Sequence, residues 1–307
     1  MAGAGGHLEE LWMLRPRLVG VPGEVTWVTA DTPQSRSLLR GERLIFIPKS
    51  KPRDAWATAA TAGRAFEVLR QGNWSAVVST GSLPAVPFLT LARARGIPCH
   101  FIESAARVDA PSLSARILEC IPGVHRYGQY RWWARDRWRF RGSVFDGFRT
   151  VGTPGRPIRR VVVTIGSSRY GFRRLVEAVR RALPEDVEVL WQTGSTDVSG
   201  LGIDAVATLP AAELFDAMSR ADLVVAHAGV GSAVMALRAG KCPVLLPRRR
   251  RDGEHADDHQ RQLVRVLGGA LLAVAADPGS LSYEHLVRAA GRSAVEEDVA
   301  PFLLEAG

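Results

Sequence analysis

Cysteine, lysine and long apolar runs are all scarce in this chain. The three cysteines, Cys99, Cys120 and Cys242, are odd in number, scattered and without CxxC spacing. That excludes a disulfide framework and a cysteine zinc site, and it fits a reducing compartment. No apolar stretch reaches the length of a membrane-spanning helix, and no charged start with an apolar core marks a signal peptide. Repeats and low-complexity segments are missing as well, which excludes solenoids. Lysine occurs only at Lys49, Lys51 and Lys241, so the net charge of +9 is carried almost wholly by arginine. Arginine and alanine richness fits a GC-rich coding bias. It fits equally well a basic surface for nucleic acid, an anionic membrane or phosphorylated ligands.

What is present is ordinary globular material. Hydrophobic residues make up 46 % of 307 positions, enough for one large or two ordinary cores. Strand and helix patterns alternate throughout, the mark of an α/β architecture with parallel sheets. In the first half, 24–30, 43–48, 75–80 and 97–104 read as strands, and 55–72 and 81–96 as helices. "TVGTPGRPIRR" (150–160) reads as a linker between units 1–150 and 151–307. In the second half, strands are expected at 160–166, 187–194 and 242–247, and the apolar run 270–275 follows the helix expected at 254–269. Helices are expected at 172–183, 212–221, 254–269 and 281–305. Two Rossmann-like halves result, each with glycines after strands.

"VVAHAGVGSAVMALRAG" (224–240) is strand, glycine loop and helix in one piece. Gly229 and Gly231 allow a tight turn, and Ser232 is placed to cap the helix. Free N–H groups and the partial positive charge of a helix N-terminus make this an anion site. "VTIGSS" repeats the logic with Gly166, Ser167 and Ser168, and "QTG" ends another strand at Gln192 and Gly194. Ligands of open α/β sheets lie beyond the carboxyl ends of strands, so these loops can converge on one ligand. "GEHADDHQ" sets His255 and His259 four apart, a spacing that suits zinc on a helix. The zinc-protease pattern needs Glu after the first His, where Ala256 stands, so no metal is expected. "RYGQYRWWARDRWRFRG" (126–142) interleaves arginine with aromatics. Such a mixture suits nucleic acid, a membrane interface or interior packing with arginine stems over apolar surface.

Several segments then converge on one family. "AGAGGHLEEL", "VVSTGSLPAVPF" and "FIESAARVDAPSLSARIL" resemble the membrane-associated subunit of the two-subunit N-acetylglucosaminyltransferase that builds lipid-linked oligosaccharides. "VTIGSS" and "AHAGVGSAVMALRAGKCPVLLPRRRRDGEHADDHQ" resemble its catalytic partner and the C-terminal half of MurG. Bacterial capsule and exopolysaccharide transferases look most similar. The resemblance implies a GT-B fold, two Rossmann-like domains facing across a cleft, with both halves in one polypeptide. It implies an inverting glycosyltransferase that uses no metal or other cofactor. His227, Ala228, Gly229, Val230, Gly231 and Ser232 would hold the donor diphosphate, with Gly166 and Ser167 lining the same cleft. Glu254 and His255 belong to the loop in which His259 and Gln260 would contact the donor sugar. Gly5, Gly6 and His7 would face the acceptor, with Gly81 and Ser82 after the 75–80 strand. Glu103, Ser104 and Arg107 match the Glu-Ser and Arg motif of the acceptor half. Met235 departs from the pattern, standing where relatives place a Glu that holds the nucleotide ribose, and its thioether cannot accept those hydrogen bonds. UDP is the expected carrier.

An inverting transfer needs a base for the acceptor hydroxyl. His7 is the first candidate, since an unperturbed imidazole titrates near neutrality, and Glu103 the second. The expected acceptor is a lipid-linked saccharide at the inner membrane face, handled by a cytoplasmic protein in peripheral contact with anionic lipid. The competing readings are a soluble small-molecule acceptor, or a non-catalytic nucleotide-binding or nucleic-acid-binding protein. Nucleic acid is not the expected partner. Family members place a strand before the first glycine loop, and almost nothing precedes it here. Either that strand is missing or upstream residues supply it, so the expectation is a displaced or disordered Gly5–His7. Gly231→Val is expected to abolish nucleotide-sugar binding.

Overall fold

The computed structural model describes residues 1–20, 23–48, 55–155, 157–166 and 168–305, with the side chains of 55–59 left aside. Ser167, a predicted donor contact, lies outside the described residues. The chain divides into two compact units, Met1–Val144 with Val299–Gly307, and Phe145–Asp298.

The first unit opens with helix α1 (Gly6–Leu14), followed by strands β1 (Leu18–Val19) and β2 (Thr26–Ala30). Helix α2 (Pro33–Leu38), β3 (Arg43–Ile47), α3 (Ala55–Gln71) and β4 (Val77–Ser79) come next. The unit continues with α4 (Ala85–Ala94), β5 (Cys99–Ile102), α5 (Leu113–Glu119), β6 (Val124–Gly128) and β7 (Trp138–Phe140). Strands β4-β5-β6-β7 form one parallel sheet and β2-β3 another. Met1 and Ala2 lie between them. The Met1 amine donates to the Val78 carbonyl at 2.7 Å and the Ala2 N–H to Val28 at 3.1 Å. These two residues stand in the place of a central strand, and the loop at Gly5 follows directly from them. The expectation of a displaced or disordered Gly5–His7 is therefore corrected. Gly5 takes a positive φ of 93°, its N–H donates to Gln34 Oε1 at 2.8 Å, and α1 begins at the next residue. Ala2, Leu8, Leu11, Trp27 and Leu39 pack beneath this corner.

The second unit begins with β8 (Phe148–Gly152), in the stretch read as a linker. Then come β9 (Arg160–Thr164), α6 (Arg173–Ala182), β10 (Glu188–Gln192), β11 (Ala205–Val206), α7 (Ala211–Arg220) and β12 (Leu223–His227). The order ends with α8 (Val230–Arg238), β13 (Val244–Leu246), α9 (His259–Gly269), β14 (Val274–Ala275), α10 (Tyr283–Ala290) and β15 (Arg292–Glu296). The sheet is parallel with order β11-β10-β9-β12-β13-β14. This is the dinucleotide-binding order, and its switch point falls between β9 and β12. Val161, Val163, Leu223, Val225 and Val244 turn to one face with Leu175, Val176 and Val179 of α6. Val162 and Val224 turn to the other with Leu214 and Met218 of α7. Period-2 alternation of Val and Leu along the strands builds both cores.

The stretch expected to be helical over 281–305 is corrected, since its helix ends at Ala290. Gly291 breaks the pattern, and β15 pairs antiparallel with β8 over five residues, from Arg292↔Gly152 to Glu296↔Phe148. The final strand β16 (Phe302–Leu303) then pairs with β1 in the first unit. Hence the division falls after Val144 rather than after residue 150, and residues 299–307 join the first unit. The segment 126–142 supplies β6 and β7, and Trp133 and Trp138 are buried edge-to-face at 4.8 Å. Most of its aromatics pack inside, and Trp132 stands out at 56 % exposure.

Candidate functional site

In the second unit, glycines at two strand ends close on one imidazole, and a third glycine closes on the first. Gly166 follows β9, Gly194 follows β10 and Gly229 follows β12. A Cβ on Gly166 would stand 2.5 Å from His227 Cε1, and one on Gly229 would stand 2.4 Å from His227 Nε2. A Cβ on Gly194 would reach 2.6 Å from the Gly166 carbonyl oxygen. Gly166 and Gly194 also have φ of +69° and +55°, a region side chains rarely adopt. The backbone therefore closes tightly at the switch point, on both sides of β9. Burial and the nearby Arg248 charge push His227 down to about 3, so its ring is neutral near pH 7. Val230, Gly231 and Ser232 form the first turn of α8, where N–H groups lack intrahelical carbonyl partners. Neutral imidazole, tightly packed glycines and first-turn amides thus come together at the switch point, where helix N-terminal N–H groups favour anions.

Several donor-side expectations shift in detail. Gly229 is the N-cap of α8, so Ser232 does not cap it. Ser232 sits one turn in, with its hydroxyl 3.5 Å from His227 Nδ1. Ala228 and Val230 turn their side chains into the core, and only backbone could serve a ligand there. Gln192 is buried, with its Oε1 accepting the Thr164 hydroxyl, and it supports the strand ends from within. Met235 packs on the core between α7 and the sheet rather than lining the loop. Glu254 is buried and saturated. Arg174 donates to both of its oxygens at 2.8 and 2.9 Å, and the Arg249 N–H adds a bond at 2.9 Å. It anchors the loop rather than facing a ligand. Helix α9 starts only at His259, so His255 lies in the loop before it and the two histidines do not share a helical face. Their rings still meet edge-to-face at 4.7 Å.

Sequence reasoning missed Arg248, the residue that ties these loops together. It is 1 % exposed, and its guanidinium donates to the carbonyls of Tyr170, Gly171, Ile165 and Glu254 at 2.6 to 3.2 Å. Its own N–H donates to Gln260 Oε1 at 3.0 Å. Burial pulls its pKa down to about 10, which leaves it charged at neutral pH. Arg248→Met should strand four buried carbonyls and cost about 3 kcal/mol. Urea unfolding followed at the second unit checks this, and a loss under about 0.5 kcal/mol would contradict it.

In the first unit, His7 sits in the opening turn of α1. Its Nδ1 is 2.9 Å from the Thr80 carbonyl, just past β4. A carbonyl only accepts, so Nδ1 carries the proton and Nε2 carries the lone pair. The Thr80 hydroxyl returns a bond to the His7 carbonyl at 2.5 Å. Gly81, at φ +108°, lies against the ring, where a Cβ would stand 3.4 Å away. Ser82 (φ 75°) crowds Gly3, and so Gly5, Gly6, His7, Gly81 and Ser82 form one corner.

Glu103 is corrected from a candidate base to an anchor. It is 1 % exposed, and its two oxygens accept the Ser104 and Ser112 N–H groups at 3.0 and 2.7 Å. Ser112 in turn caps α5, so Glu103 fixes the loop that carries Ser104 and Arg107. A second buried carboxylate, Glu10, went unpredicted. It lies on α1 one turn beyond His7 and accepts Ser104 Oγ at 2.6 Å, with Ala105 N–H and Gln129 Nε2 at 2.8 Å. Burial raises it to about 7, against the pull of those bonds. Glu10 thus pins α1, and His7 with it, to the ends of β5 and β6.

Both units end their parallel strands in glycine loops at a switch point, and together they have the fold of GT-B glycosyltransferases. Residues 160–286 match the glycosyltransferase family 28 C-terminal domain, and the protein is a glycosyltransferase with that domain as its second unit. The fold is similar to that of MurG from Acinetobacter baumannii (TM-score 0.55, 17 % identity, 92 % of this chain and 86 % of that one). It is also similar to the glycosyltransferase SnogD from Streptomyces nogalater (TM-score 0.57, 18 % identity, 93 % and 89 %). A UDP-N-acetylglucosamine 2-epimerase shares it as well (TM-score 0.56, 13 % identity, 93 % and 84 %), so fold alone does not choose the reaction. No curated protein sequence matches the chain.

Proposed function

We propose an inverting, metal-independent transfer of a sugar from a UDP-sugar to a hydroxyl of a lipid-linked saccharide. The observation that carries this reading is the closed glycine floor around neutral His227 beside the first turn of α8. It offers amide donors to a departing diphosphate. His259 and Gln260, beside that floor, serve the sugar hydroxyls. On the acceptor side, His7 Nε2 takes the proton of the attacking hydroxyl. The oxygen bonds the anomeric carbon from the face opposite the diphosphate, the bond to the diphosphate breaks, and the configuration inverts. No cofactor enters this scheme. With Met235 in the core packing, the nucleotide ribose is held by other groups.

The first unit also offers a surface for lipid. Trp132, Leu113 and Ile117 are exposed at 56, 60 and 39 %, and the Trp132 indole donates to Val108, just ahead of the α5 cap. Arg116, Arg131, Arg135 and Arg137 stand exposed among them. Apolar and aromatic groups among arginines suit the headgroup level of an anionic bilayer at the cytoplasmic face. Among the described residues no helix is long and apolar enough to cross a membrane. A thermal-shift panel of UDP-, GDP- and TDP-sugars tests the donor. UDP-sugars should stabilise most, by about 2.7 kcal/mol at a hundred times Kd. Co-sedimentation with anionic vesicles tests the acceptor side. The wild type should pellet and Trp132→Ser with Leu113→Ser should not. Equal recovery of both in the supernatant would favour a soluble acceptor.

A further inference from the structure

We propose that His255, Asp257 and His259 form a site for one borderline divalent cation of the Zn²⁺ class, and that the bound ion excludes the donor sugar. The second clause rests on the donor reading given above; the first does not. Gly253, at φ +70°, turns the chain between β13 and α9 and folds His255 back toward the start of the helix. One ring nitrogen of His255, one of His259 and an Asp257 carboxylate oxygen then lie within 4.8 Å of one another, all three residues half-buried. His255 Nδ1 is 3.2 Å from Asp257 Oδ1, and His259 Nδ1 is hydrogen-bonded to that same oxygen. Ligands bonded to zinc at about 2.0–2.2 Å stand roughly 3.4 Å apart in a tetrahedron, so closure needs only small side-chain rotations.

The Asp257 N–H, which only donates, and Asp257 Oδ1, which only accepts, stand 3.3 and 3.2 Å from His255 Nδ1, so that nitrogen meets a partner in either tautomer and can turn a lone pair to a metal. His259 Nδ1 faces a carboxylate, which only accepts. It carries the proton and must pass it to Nε2 when a metal arrives. Asp258 is engaged elsewhere, with its Oδ1 accepting the Arg250 N–H at 2.9 Å. Three protein ligands and an open position result, the arrangement of an exchangeable rather than a closed structural site. The zinc-protease spacing is the wrong comparison, because here the carboxylate lies between two histidines in a loop. A bound ion draws His259 away from the donor sugar.

Equilibrium dialysis of the full chain against Zn²⁺ tests the site directly. One ion per chain is expected, with affinity at least tenfold weaker in His255→Ala and in Asp257→Asn. Co²⁺ loading should give visible absorption bands that both variants lose. Circular dichroism and an unchanged thermal-unfolding midpoint identify variants that are folded. Substoichiometric binding, or binding that both folded variants keep, overturns the site. Thermal shift by a UDP-sugar, with Zn²⁺ saturating or chelated by EDTA, tests the second clause. Zinc should weaken the apparent affinity at least tenfold in the wild type and leave His255→Ala unchanged. Unaltered wild-type affinity overturns the exclusion. No UDP-sugar shift even in EDTA overturns the donor reading and the exclusion with it, while the dialysis result still decides the metal site.

Discussion

His7→Ala should lower turnover by about 10²–10⁴-fold while UDP binding stays within about twofold. The imidazole is held in the tautomer that a base requires. Its Nδ1–H is committed to the Thr80 carbonyl, which puts the accepting lone pair on Nε2. Glu10 holds the helix that carries it through three hydrogen bonds reaching 94 to 119 residues along the chain. The ring is thus positioned from three strand ends, those of β4, β5 and β6, and its loss should affect chemistry more than folding. UDP release from the donor, measured with a polyprenyl-diphosphate-linked saccharide, reads the effect. His7→Gln separates two causes. Glutamine can donate to Thr80 as the imidazole does, yet it cannot take a proton near neutrality. Activity restored by glutamine would mean that His7 only holds the loop. Alanine activity within a few-fold of the wild type would remove His7 from the chemistry altogether.

Legibility in the sequence followed the range of the interactions. The β12–α8 loop could be read because an apolar strand, two glycines and a helix pattern are contiguous from Leu223 to Arg238. The Gly166 and Gly194 loops were found by the same local signal. Charged residues buried by distant partners could not be read this way. Arg248 opens a run of four arginines that looks like a solvated face, and its bonds to Ile165, Tyr170 and Gly171, 77 to 83 residues away, distinguish it from Arg251. Glu10 is hidden in the same way, because Glu9 and Glu10 are adjacent and the sequence does not say which one meets Gln129. The C-terminal error has a related cause. Residues 292–296 have helix-forming neighbours, but β8 offers a ladder that propensity cannot see. The order of the opening glycine run is set by Met1 and Ala2 bonding to β4 and β2, long-range contacts that no local pattern shows.

Gly166→Val should abolish detectable UDP binding, a loss of at least about 100-fold or roughly 3 kcal/mol. The new Cβ would fall 2.5 Å from His227 Cε1, far inside van der Waals contact with a ring that is packed between the Gly166 and Gly229 loops. Backbone adjustment is closed as well. The Gly166 carbonyl is the group that a Cβ on Gly194 would strike at 2.6 Å, so the β9 and β10 ends are already in near contact. A φ of +69° adds strain for a β-branched residue. Strain and clash together must push the loop into the space where the diphosphate approaches α8. This site is a sharper test than Gly231, which lies inside the first turn of the helix, where a side chain would also disturb the core. Gly269→Ala provides the control, because a Cβ there meets no atom within 4 Å. Calorimetric titration with UDP should show wild-type affinity for the control and none for Gly166→Val, with circular dichroism confirming that both are folded. Undiminished binding by folded Gly166→Val would place the diphosphate somewhere other than the switch point of the second sheet.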